Sequence, residues 1–296
     1  MRHLIFFGTP EFAATILGGL VEDQRYDVCG VVTQPDKPVG RKGIPTPSPV
    51  KTLAESSNIP TYDFDSMTQV IESVRLLRPD LGVVAAYGKI LPSPLLMLPK
   101  FGCLNVHPSL LPKYRGASPI QTALLQGEKQ TGITIIEMDE GMDTGPIVAQ
   151  AKVPIAPGET ARTLTSKLAT LGRDLLRKEV PIFIAGKQGC HTLNPPRKQD
   201  NSKASYTKIL RREDGKIDWS KTDKEIERMI RAFDPWPGTW TTLEELQGSS
   251  GDSRRVKILE AHLGKGGNLA IDRLQIEGKN PVTWKEFQSG YLFPRP

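Results

Sequence analysis

The sequence predicts an α/β domain with a mostly parallel sheet, followed by a small β-barrel domain. Over the first two-thirds of the 296 residues, short apolar runs alternate with segments of helical periodicity. This alternation is typical of a parallel sheet with helices on both faces. After residue 186 the periodicity stops, and a stretch with prolines, serines and lysines indicates a linker. Short strand candidates beyond it, with one helix among them, favour a small barrel.

Local signals place the elements of the first domain in order. Apolar runs that suit buried strands occur at 3–7, 26–32, 81–86, 103–106, 133–137 and 147–153. Helical spacing predicts a helix from residue 10, with Phe12, Ile16 and Leu20 on one face, and further helices at 50–56, 67–77 and 118–125. A long helix is predicted from 160 to about 184, although Pro181 favours a bend or a stop near Val180.

The second domain is predicted from weaker signals. Strand candidates lie at 216–219, 255–261, 269–271 and 273–276, and one helix carries Ile226, Met229, Ile230 and Phe233 on a single face. Such a barrel resembles the oligonucleotide-binding type. Trp236 and Trp240 surround a proline-rich turn, and we expect them to close the barrel core rather than to stack on bases. The domains are therefore 1–186 and 207–296, joined by a basic linker at 187–206.

Composition excludes several classes of protein. The chain is 38% hydrophobic and 24% charged, as in ordinary soluble proteins. No apolar run is long enough for a membrane span, and no signal peptide is recognised. Cys29, Cys103 and Cys190 are odd in number and lack paired spacing, which favours reduced thiols in a cytoplasmic protein over disulfides or a metal site.

Positive charge is concentrated in the C-terminal third. The net charge is +6, and residues 187–296 contribute +5 of it. Within 187–212 there are seven basic residues and one acid. Such a segment attracts polyanions such as nucleic acids. A solvated linker that only aids solubility is the alternative.

Two glycine-containing segments of the first domain do not by themselves predict a ligand. Segment 8–13 joins a strand to a helix but lacks the further glycines of a dinucleotide-binding turn, so a plain turn is favoured. Segment 34–45 is an exposed loop rich in proline and glycine. Its Lys37, Arg41 and Lys42 could clamp an anionic partner, or the segment could be an ordinary surface loop.

Three polar residues are the candidate catalytic groups. Asn105 and His107 are two positions apart at the end of a predicted strand, so their side chains lie on one face. Asp143 lies in a later loop between Gly141 and Gly145, with Asp139 and Glu140 nearby. An amide, an imidazole and a carboxylate supply an oxyanion donor, a proton carrier and a base, as acyl transfer to an amine requires. The alternatives are a buried structural histidine and a turn-forming aspartate.

Several motifs resemble those of the methionyl-tRNA formyltransferases. The matching segments are 8–13, 33–36 with Gly40 and Arg41, 47–51, 87–92, 105–112, 114–117, 139–145 and 231–238. The Asn-x-His and Asp pattern alone would indicate only the wider group of 10-formyltetrahydrofolate-dependent transferases. The basic loop and the C-terminal segment narrow the resemblance to the tRNA enzymes. After Arg41, however, the lysine cluster is less dense than in many members.

The resemblance implies a fold, a reaction and a set of site residues. It implies a Rossmann-like catalytic domain and an OB-like tRNA-binding barrel, with transfer of a formyl group from 10-formyltetrahydrofolate to the α-amine of methionyl initiator tRNA. Asn105, His107 and Asp143 would be catalytic. The folate-binding residues would be Tyr87, Gly88, Lys89, Ile90, Leu91, Pro92, Ser109, Leu110, Leu111 and Pro112. The tRNA-binding residues would be Lys37, Arg41, Lys42, Arg197, Lys198, Lys203 and Lys208. We expect a cytoplasmic monomer without a metal or a membrane partner.

Two other functions remain open. One is an N-formyltransferase with the same first domain that acts on an amino sugar or a ribonucleotide. The basic linker and barrel argue against it, because a small acceptor does not require them. The other is a nucleic-acid-binding module without activity, which would leave the polar pair at Asn105 and His107 unexplained.

Overall fold

The computed structural model describes residues 1–39, 43–190, 195–247 and 252–292. The chain divides into two compact units and passes between them more than once. The first unit comprises Met1–Ala117, Gln130–Val153 and Thr165–Thr207. The second comprises Ser118–Lys129, Pro154–Leu164 and Lys208–Pro296.

A seven-stranded sheet forms the centre of the first unit, in the order β10-β9-β7-β6-β1-β2-β5. Five neighbouring strands are parallel to one another: β7, β6, β1, β2 and β5. Strand β9 runs antiparallel to β7. The bounds are β1 (Arg2–Gly8), β2 (Tyr26–Val32), β5 (Thr61–Tyr62), β6 (Leu81–Ala85), β7 (Cys103–His107), β9 (Gln130–Glu137) and β10 (Ile147–Pro154). Two strand pairs lie outside this sheet: β3 (Lys37–Val39) with β4 (Ile44–Thr46), and β8 (Arg115–Gly116) with β11 (Tyr206–Thr207).

The helices follow the apolar periodicity of the sequence. In the first unit they are α1 (Glu11–Val21), α2 (Pro49–Ser56), α3 (Met67–Leu77) and α4 (Ser93–Leu96), with a 3₁₀ turn at Asn201–Lys203. The buried face of α1 contains the predicted Phe12, Ile16 and Leu20. The strand interiors are equally apolar, and every residue of β6 is buried. The long helix α6 (Ala161–Lys187) has residues in both units.

Helix α6 continues through Pro181 to Lys187, so the long helix predicted from 160 to about 184 is present and the alternative of a stop near Val180 is wrong. A proline lacks the amide that would bond the carbonyl of Arg177 one turn earlier. In the structure, Nη2 of Arg25 donates to that carbonyl at 2.9 Å. The carboxylate of Asp23 in turn holds Arg25. Apolar side chains around the proline are buried: Val180, Phe183 and Ile184. A replacement donor and tertiary packing therefore compensate for the missing hydrogen bond.

The second unit contains a four-stranded antiparallel sheet in the order β12-β13-β14-β15. Its strands are β12 (Thr239–Thr242), β13 (Arg255–Leu263), β14 (Leu269–Ile276) and β15 (Val282–Thr283). Its helices are α5 (Pro119–Leu125), α7 (Asp223–Ala232), α8 (Leu243–Gln247) and α9 (Trp284–Phe287), with a 3₁₀ turn at Arg212–Gly215 and a π-helical segment at Gln288–Leu292. The predicted class is a Rossmann-like, mostly parallel sheet followed by a small OB-like barrel. The mostly parallel sheet of the first unit and the antiparallel strands of the second confirm this class.

Three local predictions for the second unit need correction. The two strands predicted at 269–271 and 273–276 are one continuous strand, β14, which runs through Asp272 although its pairing with β13 is irregular there. Of the strand predicted at 216–219, only Lys216 pairs, in an isolated bridge with Trp240. Trp236 is 53% exposed and does not close the core. Trp240 is half-buried, beneath the guanidinium of Arg255 at 3.9 Å from the ring centre.

Candidate active site

Asn105 and His107 lie on β7, inside the seven-stranded sheet, with His107 as its last residue. His107 is 4% exposed and Asn105 is half-buried. β7 pairs with β6 on one side and with β9 on the other, so the backbone that carries both side chains is held in place. In open α/β sheets, ligands bind beyond the carboxyl ends of the parallel strands. The polar pair therefore lies where this fold positions a ligand.

Asp143 belongs to the loop between β9 and β10. Its φ is +54°, a left-handed conformation that aspartate tolerates better than most residues with a Cβ. Gly145 allows the loop to approach the end of β9, since a Cβ there would lie 1.8 Å from the carbonyl oxygen of Glu137. This backbone conformation directs the Asp143 side chain towards Asn105 and His107.

The other two carboxylates of this loop have different surroundings. Oδ1 of Asp139 accepts the amide hydrogen of Gly141 at 3.0 Å and the hydroxyl of Thr144 at 2.7 Å, so it ties the loop together. Glu140 is exposed. Of the three, Asp143 is the carboxylate that contacts Asn105 and His107.

The fold brings Asn105, His107 and Asp143 into contact. Nδ2 of Asn105 donates to Oδ1 of Asp143 at 3.2 Å. Nδ1 of His107 lies 3.5 Å from Oδ2 of the same carboxylate. The backbone amide of Gly116 also donates to Oδ2, at 2.8 Å. The Asp143 side chain is 14% exposed and that of His107 5% exposed, and Asn105 is half-buried, so the cluster meets solvent at the carboxylate and the amide rather than at the imidazole.

The imidazole has a defined orientation. Nε2 of His107 lies 3.0 Å from the carbonyl oxygen of Tyr114. Because a carbonyl oxygen only accepts hydrogen bonds, Nε2 carries a proton. Nδ1 is then the ring nitrogen that faces Asp143. The other ring nitrogen, Nε2, holds the side chain in place through its hydrogen bond to Tyr114.

These groups suit transfer of an acyl group to an amine. An amide N–H and an imidazole can stabilise negative charge on a carbonyl oxygen, and a carboxylate can accept a proton from nitrogen. Covalent catalysis by the nearby Cys103 is disfavoured, because burial raises the pKa of its thiol to about 12. Within the described residues, no group of three or more His, Cys, Asp or Glu side chains could hold a metal ion. Of the helices described, none has the length and apolar character to cross a membrane.

The segments predicted to bind the folate follow β6 and β7, at the same edge of the sheet. Their members divide by exposure. The side chains of four are buried: Tyr87, Leu91, Ser109 and Leu111. The others retain exposed surface: Gly88, Lys89, Ile90, Pro92, Leu110 and Pro112. The buried four can shape the loops or offer backbone groups, but their side chains are not accessible to a ligand.

Gly88 shows why the first of these loops needs a glycine. Its φ is +80°, and a Cβ there would lie 2.4 Å from Nε2 of Gln34. That nitrogen donates to the carbonyl of Tyr87 at 2.8 Å. Ile90, two residues farther, is 84% exposed and offers an apolar surface at the edge of the sheet.

The predicted tRNA-binding residues that the structure describes are all exposed, but they differ in their contacts. Arg41 and Lys42 lie outside the described residues. Exposed positions are occupied by Lys37, Arg197, Lys198, Lys203 and Lys208. Lys203 pairs with Asp200 at 3.1 Å, and Lys208 pairs with Asp214.

Arg197 also has an internal contact. Its Nη2 donates to Oε1 of Gln150 at 2.7 Å. Nε2 of Gln150 donates to the carbonyl of Leu111 and to Oγ1 of Thr134, both at 2.9 Å. Arg197 is therefore linked to the loop that follows His107.

Sequence reasoning missed two residues that support the Asp143 loop. Gln199 contacts the loop directly, and Arg115 contacts Gln199. Arg115 is a fully buried cation, 1% exposed, and Gln199 lies in the segment predicted as a linker. Nη2 of Arg115 donates to Oε1 of Gln199 at 2.8 Å, and Nε2 of Gln199 donates to the carbonyl of Asp143 at 2.7 Å. The available signal was the presence of Arg115 in the motif 114–117; nothing in the sequence singled out Gln199.

Family models match both parts of the chain. The model described as formyl transferase matches residues 1–180. The model described as formyl transferase, C-terminal domain, matches residues 209–268.

Curated relatives are similar over most of the chain. The methionyl-tRNA formyltransferase of Bacillus cytotoxicus is 40% identical over 308 residues, covering 98% of this chain and 96% of that protein. That of Geotalea uraniireducens is 39% identical over 304 residues, covering 98% and 95%. That of Nitrosococcus oceani is 47% identical over 243 residues, covering 81% and 73%.

Two solved structures share the fold. A methionyl-tRNA formyltransferase from Clostridium thermocellum has a TM-score of 0.61 at 18% identity, covering 93% of this chain and 99% of that one. An N-formyltransferase from Helicobacter canadensis, solved with folinic acid and dTDP-3-aminofucose, has a TM-score of 0.63 at 24% identity, covering 89% and 88%.

Proposed function

The chain belongs to the formyl transferase family, among the methionyl-tRNA formyltransferases, and on this basis we propose that it formylates methionyl initiator tRNA. The donor is 10-formyltetrahydrofolate and the acceptor is the α-amino group of the esterified methionine. The observation that carries the proposal is the contact of Asn105, His107 and Asp143 at the edge of the sheet. Similarity to the tRNA enzymes over almost the whole chain selects the acceptor.

In the proposed reaction, the neutral amine attacks the formyl carbon to form a tetrahedral intermediate, and collapse of this intermediate breaks the bond from that carbon to the folate nitrogen. Nδ2 of Asn105 and a proton on Nδ1 of His107 donate hydrogen bonds to the formyl oxygen as it gains negative charge. Asp143 accepts the proton that the amine loses, directly or through a water, and returns it to the folate nitrogen as that nitrogen leaves. The amide of Gly116 keeps Oδ2 of Asp143 in place.

The residues at this edge of the sheet fit a folate. Ile90 offers apolar surface, and Leu110 is half-exposed on the segment that follows His107. An aromatic donor can pack on such surface, with its reactive nitrogen directed at the polar cluster. Gly88, Lys89, Pro92 and Pro112 complete the proposed pocket, and Tyr87, Leu91, Ser109 and Leu111 shape it from within.

The tRNA is proposed to bind through its phosphates. Residues 1–186 would hold the donor and the catalytic groups, and 207–296 would bind tRNA. The basic segment 187–206 would contribute Arg197, Lys198 and Lys203, and Lys37, Arg41, Lys42 and Lys208 would add further contacts. Neutralising phosphates releases counterions, so affinity should fall as salt concentration rises. We propose that the protein acts as a cytoplasmic monomer.

A formyl-transfer assay tests the proposal. The purified protein is incubated with 10-formyltetrahydrofolate and Met-tRNA of the initiator or the elongator type. Parallel reactions contain a nucleotide-linked amino sugar or glycinamide ribonucleotide. Formylmethionine on the initiator tRNA is expected, with little on the elongator tRNA and none on the small acceptors. Formylation of a small acceptor alone would contradict the proposal.

A further inference from the structure

We infer that Gln199 is a positioning residue for the catalytic carboxylate, an inference that rests on the proposed function for its kinetic consequence. Its side-chain amide lies between a buried guanidinium and the loop that carries Asp143. Nε2 of Gln199 donates to the carbonyl oxygen of Asp143 at 2.7 Å and to that of Gly145 at 2.8 Å. One side chain therefore binds the backbone on both sides of Thr144.

The partners of Gln199 fix which way its amide points. Oε1 accepts from Nη2 of Arg115 at 2.8 Å and from Nε at 3.2 Å. A guanidinium has only donors, and the two loop carbonyls are only acceptors. Reversing the amide would place N–H groups against N–H groups and oxygen against oxygen. The two donors are thus directed at the Asp143 loop by the chemistry of both neighbours.

Arg115 anchors this arrangement. Its guanidinium is buried and also donates to Oδ1 of Asn201 at 2.8 Å and to the hydroxyl of Tyr206 at 3.2 Å. Its own backbone belongs to β8, which pairs with β11. The next residue, Gly116, donates its amide hydrogen to the Asp143 carboxylate at 2.8 Å. The same short strand therefore holds the carboxylate directly and, through Gln199, the backbone of its loop.

The loop needs such support because its conformation is not the one that the backbone prefers. Asp143 has a φ of +54°, and residues with a Cβ remain in this region when surrounding contacts hold them there. The carboxylate must also stay within reach of an amine nitrogen. Displacement of a catalytic group by about 1 Å can cost roughly a hundredfold in rate. Loss of the Gln199 donors should therefore reduce turnover more than substrate binding.

Gln199→Glu tests this function with little change in shape. The new carboxylate keeps an acceptor for Arg115 but presents oxygen, instead of two N–H groups, to the carbonyls of Asp143 and Gly145. Asn201→Asp is the matched control, because it adds the same charge beside the same guanidinium without contacting the Asp143 loop. The measurements are kcat, KM for each substrate, the urea unfolding midpoint and hydrogen exchange of the amides at 141–145.

For Gln199→Glu we expect kcat to fall by roughly tenfold to a hundredfold, with both KM values within about threefold of wild type. Exchange at 141–145 should be faster, and the unfolding midpoint should change little. Asn201→Asp should stay within about twofold of wild type in kcat and should leave exchange unchanged.

Wild-type kcat in Gln199→Glu, or an equal loss of kcat in Asn201→Asp, would overturn the inference. If Gln199→Glu does not fold, Gln199→Met is measured instead, because it removes both donors without adding charge. The same loss of kcat is expected in that variant, and a wild-type kcat would overturn the inference. A wild-type protein that formylates no Met-tRNA would contradict the proposed function instead. Hydrogen exchange would then decide the inference, since unchanged exchange in Gln199→Glu overturns it.

Discussion

Nδ1 of His107 lies 3.5 Å from Oδ2 of Asp143, and the opposite ring nitrogen bonds the carbonyl of Tyr114. This arrangement leaves one imidazole nitrogen beside the carboxylate and uses the other to hold the ring. The amide of Asn105 reaches the second carboxylate oxygen. The amide of Asn105 and the carboxylate of Asp143 each lead to a specific expectation for the reaction.

Asn105→Ala removes an N–H donor from the site of the developing oxyanion. We expect kcat to fall by about 10²–10³-fold, the usual effect of losing one such donor, while tRNA affinity stays near wild type. Single-turnover formylation and filter binding of tRNA measure the two quantities. Asn268→Ala, in an exposed turn of the second unit, is the control. A parallel loss of tRNA affinity would mean that Asn105 acts in binding.

Asp143→Asn preserves the size of the side chain but removes its capacity to accept a proton. The expected loss in kcat is roughly 10²–10⁴-fold, the contribution typical of general acid–base catalysis. Glu140→Gln makes the same chemical change at an exposed neighbour in the same loop and should remain active. Rates are compared at saturating Met-tRNA and donor. Similar activity of the two variants would remove Asp143 from the mechanism.

Lys198→Ala should weaken tRNA binding without lowering kcat, because this exposed lysine is assigned only to phosphate contact. The slope of log K against log salt should decrease in magnitude by about one. Lys178→Ala, at a lysine that is 73% exposed on α6, should leave the slope unchanged. An unaltered slope in Lys198→Ala would exclude its contact with phosphate. Arg197 is a less suitable probe, because its guanidinium also binds Gln150.

Asp23 should contribute to stability in a pH-dependent way. Hydrogen bonding to Arg25 lowers the pKa of this carboxyl from 3.8 to about 2. Since the folded-state pKa is depressed, the stabilisation is complete above the unfolded value and is lost as pH falls towards 2. Asp23→Asn should lower the free energy of unfolding by roughly 1–2 kcal/mol at pH 7 and by much less near pH 2.

Urea unfolding at the two pH values measures the effect of Asp23→Asn. Asp174→Asn is the control, since this carboxylate pairs with Arg173 but is 57% exposed, and it should change stability by under about 0.5 kcal/mol. The same loss at both pH values for Asp23→Asn would attribute the effect to something other than ionisation.

Much of the first unit could be predicted because its signals are local. Strand 26–32 and helix 67–77 have the predicted bounds, since buried apolar runs and helical periodicity are written in consecutive residues. Prediction was weaker in the second unit, where β12 and β15 are only four and two residues long. Such short strands acquire their pairing from neighbours that are distant in sequence.

Pro181 illustrates how a local rule can be overridden. The rule correctly states that the carbonyl of Arg177 loses its helical partner, but it cannot reveal that Arg25, 152 positions away, supplies another donor. The exposed Trp236 is a similar case, because burial depends on the surrounding fold and not on the type of side chain alone.

By itself, the sequence determined the sheet-and-helix order and placed Asn105 and His107 on one face at the end of a strand, because both follow from the period of the backbone. Tertiary structure alone decided that Asp143, and not Asp139 or Glu140, reaches them, and that Gln199 meets Arg115 across 84 positions of chain. The physical reason is that such contacts depend on loop dihedral angles and on the pairing of distant strands. Residue type and spacing leave both undetermined.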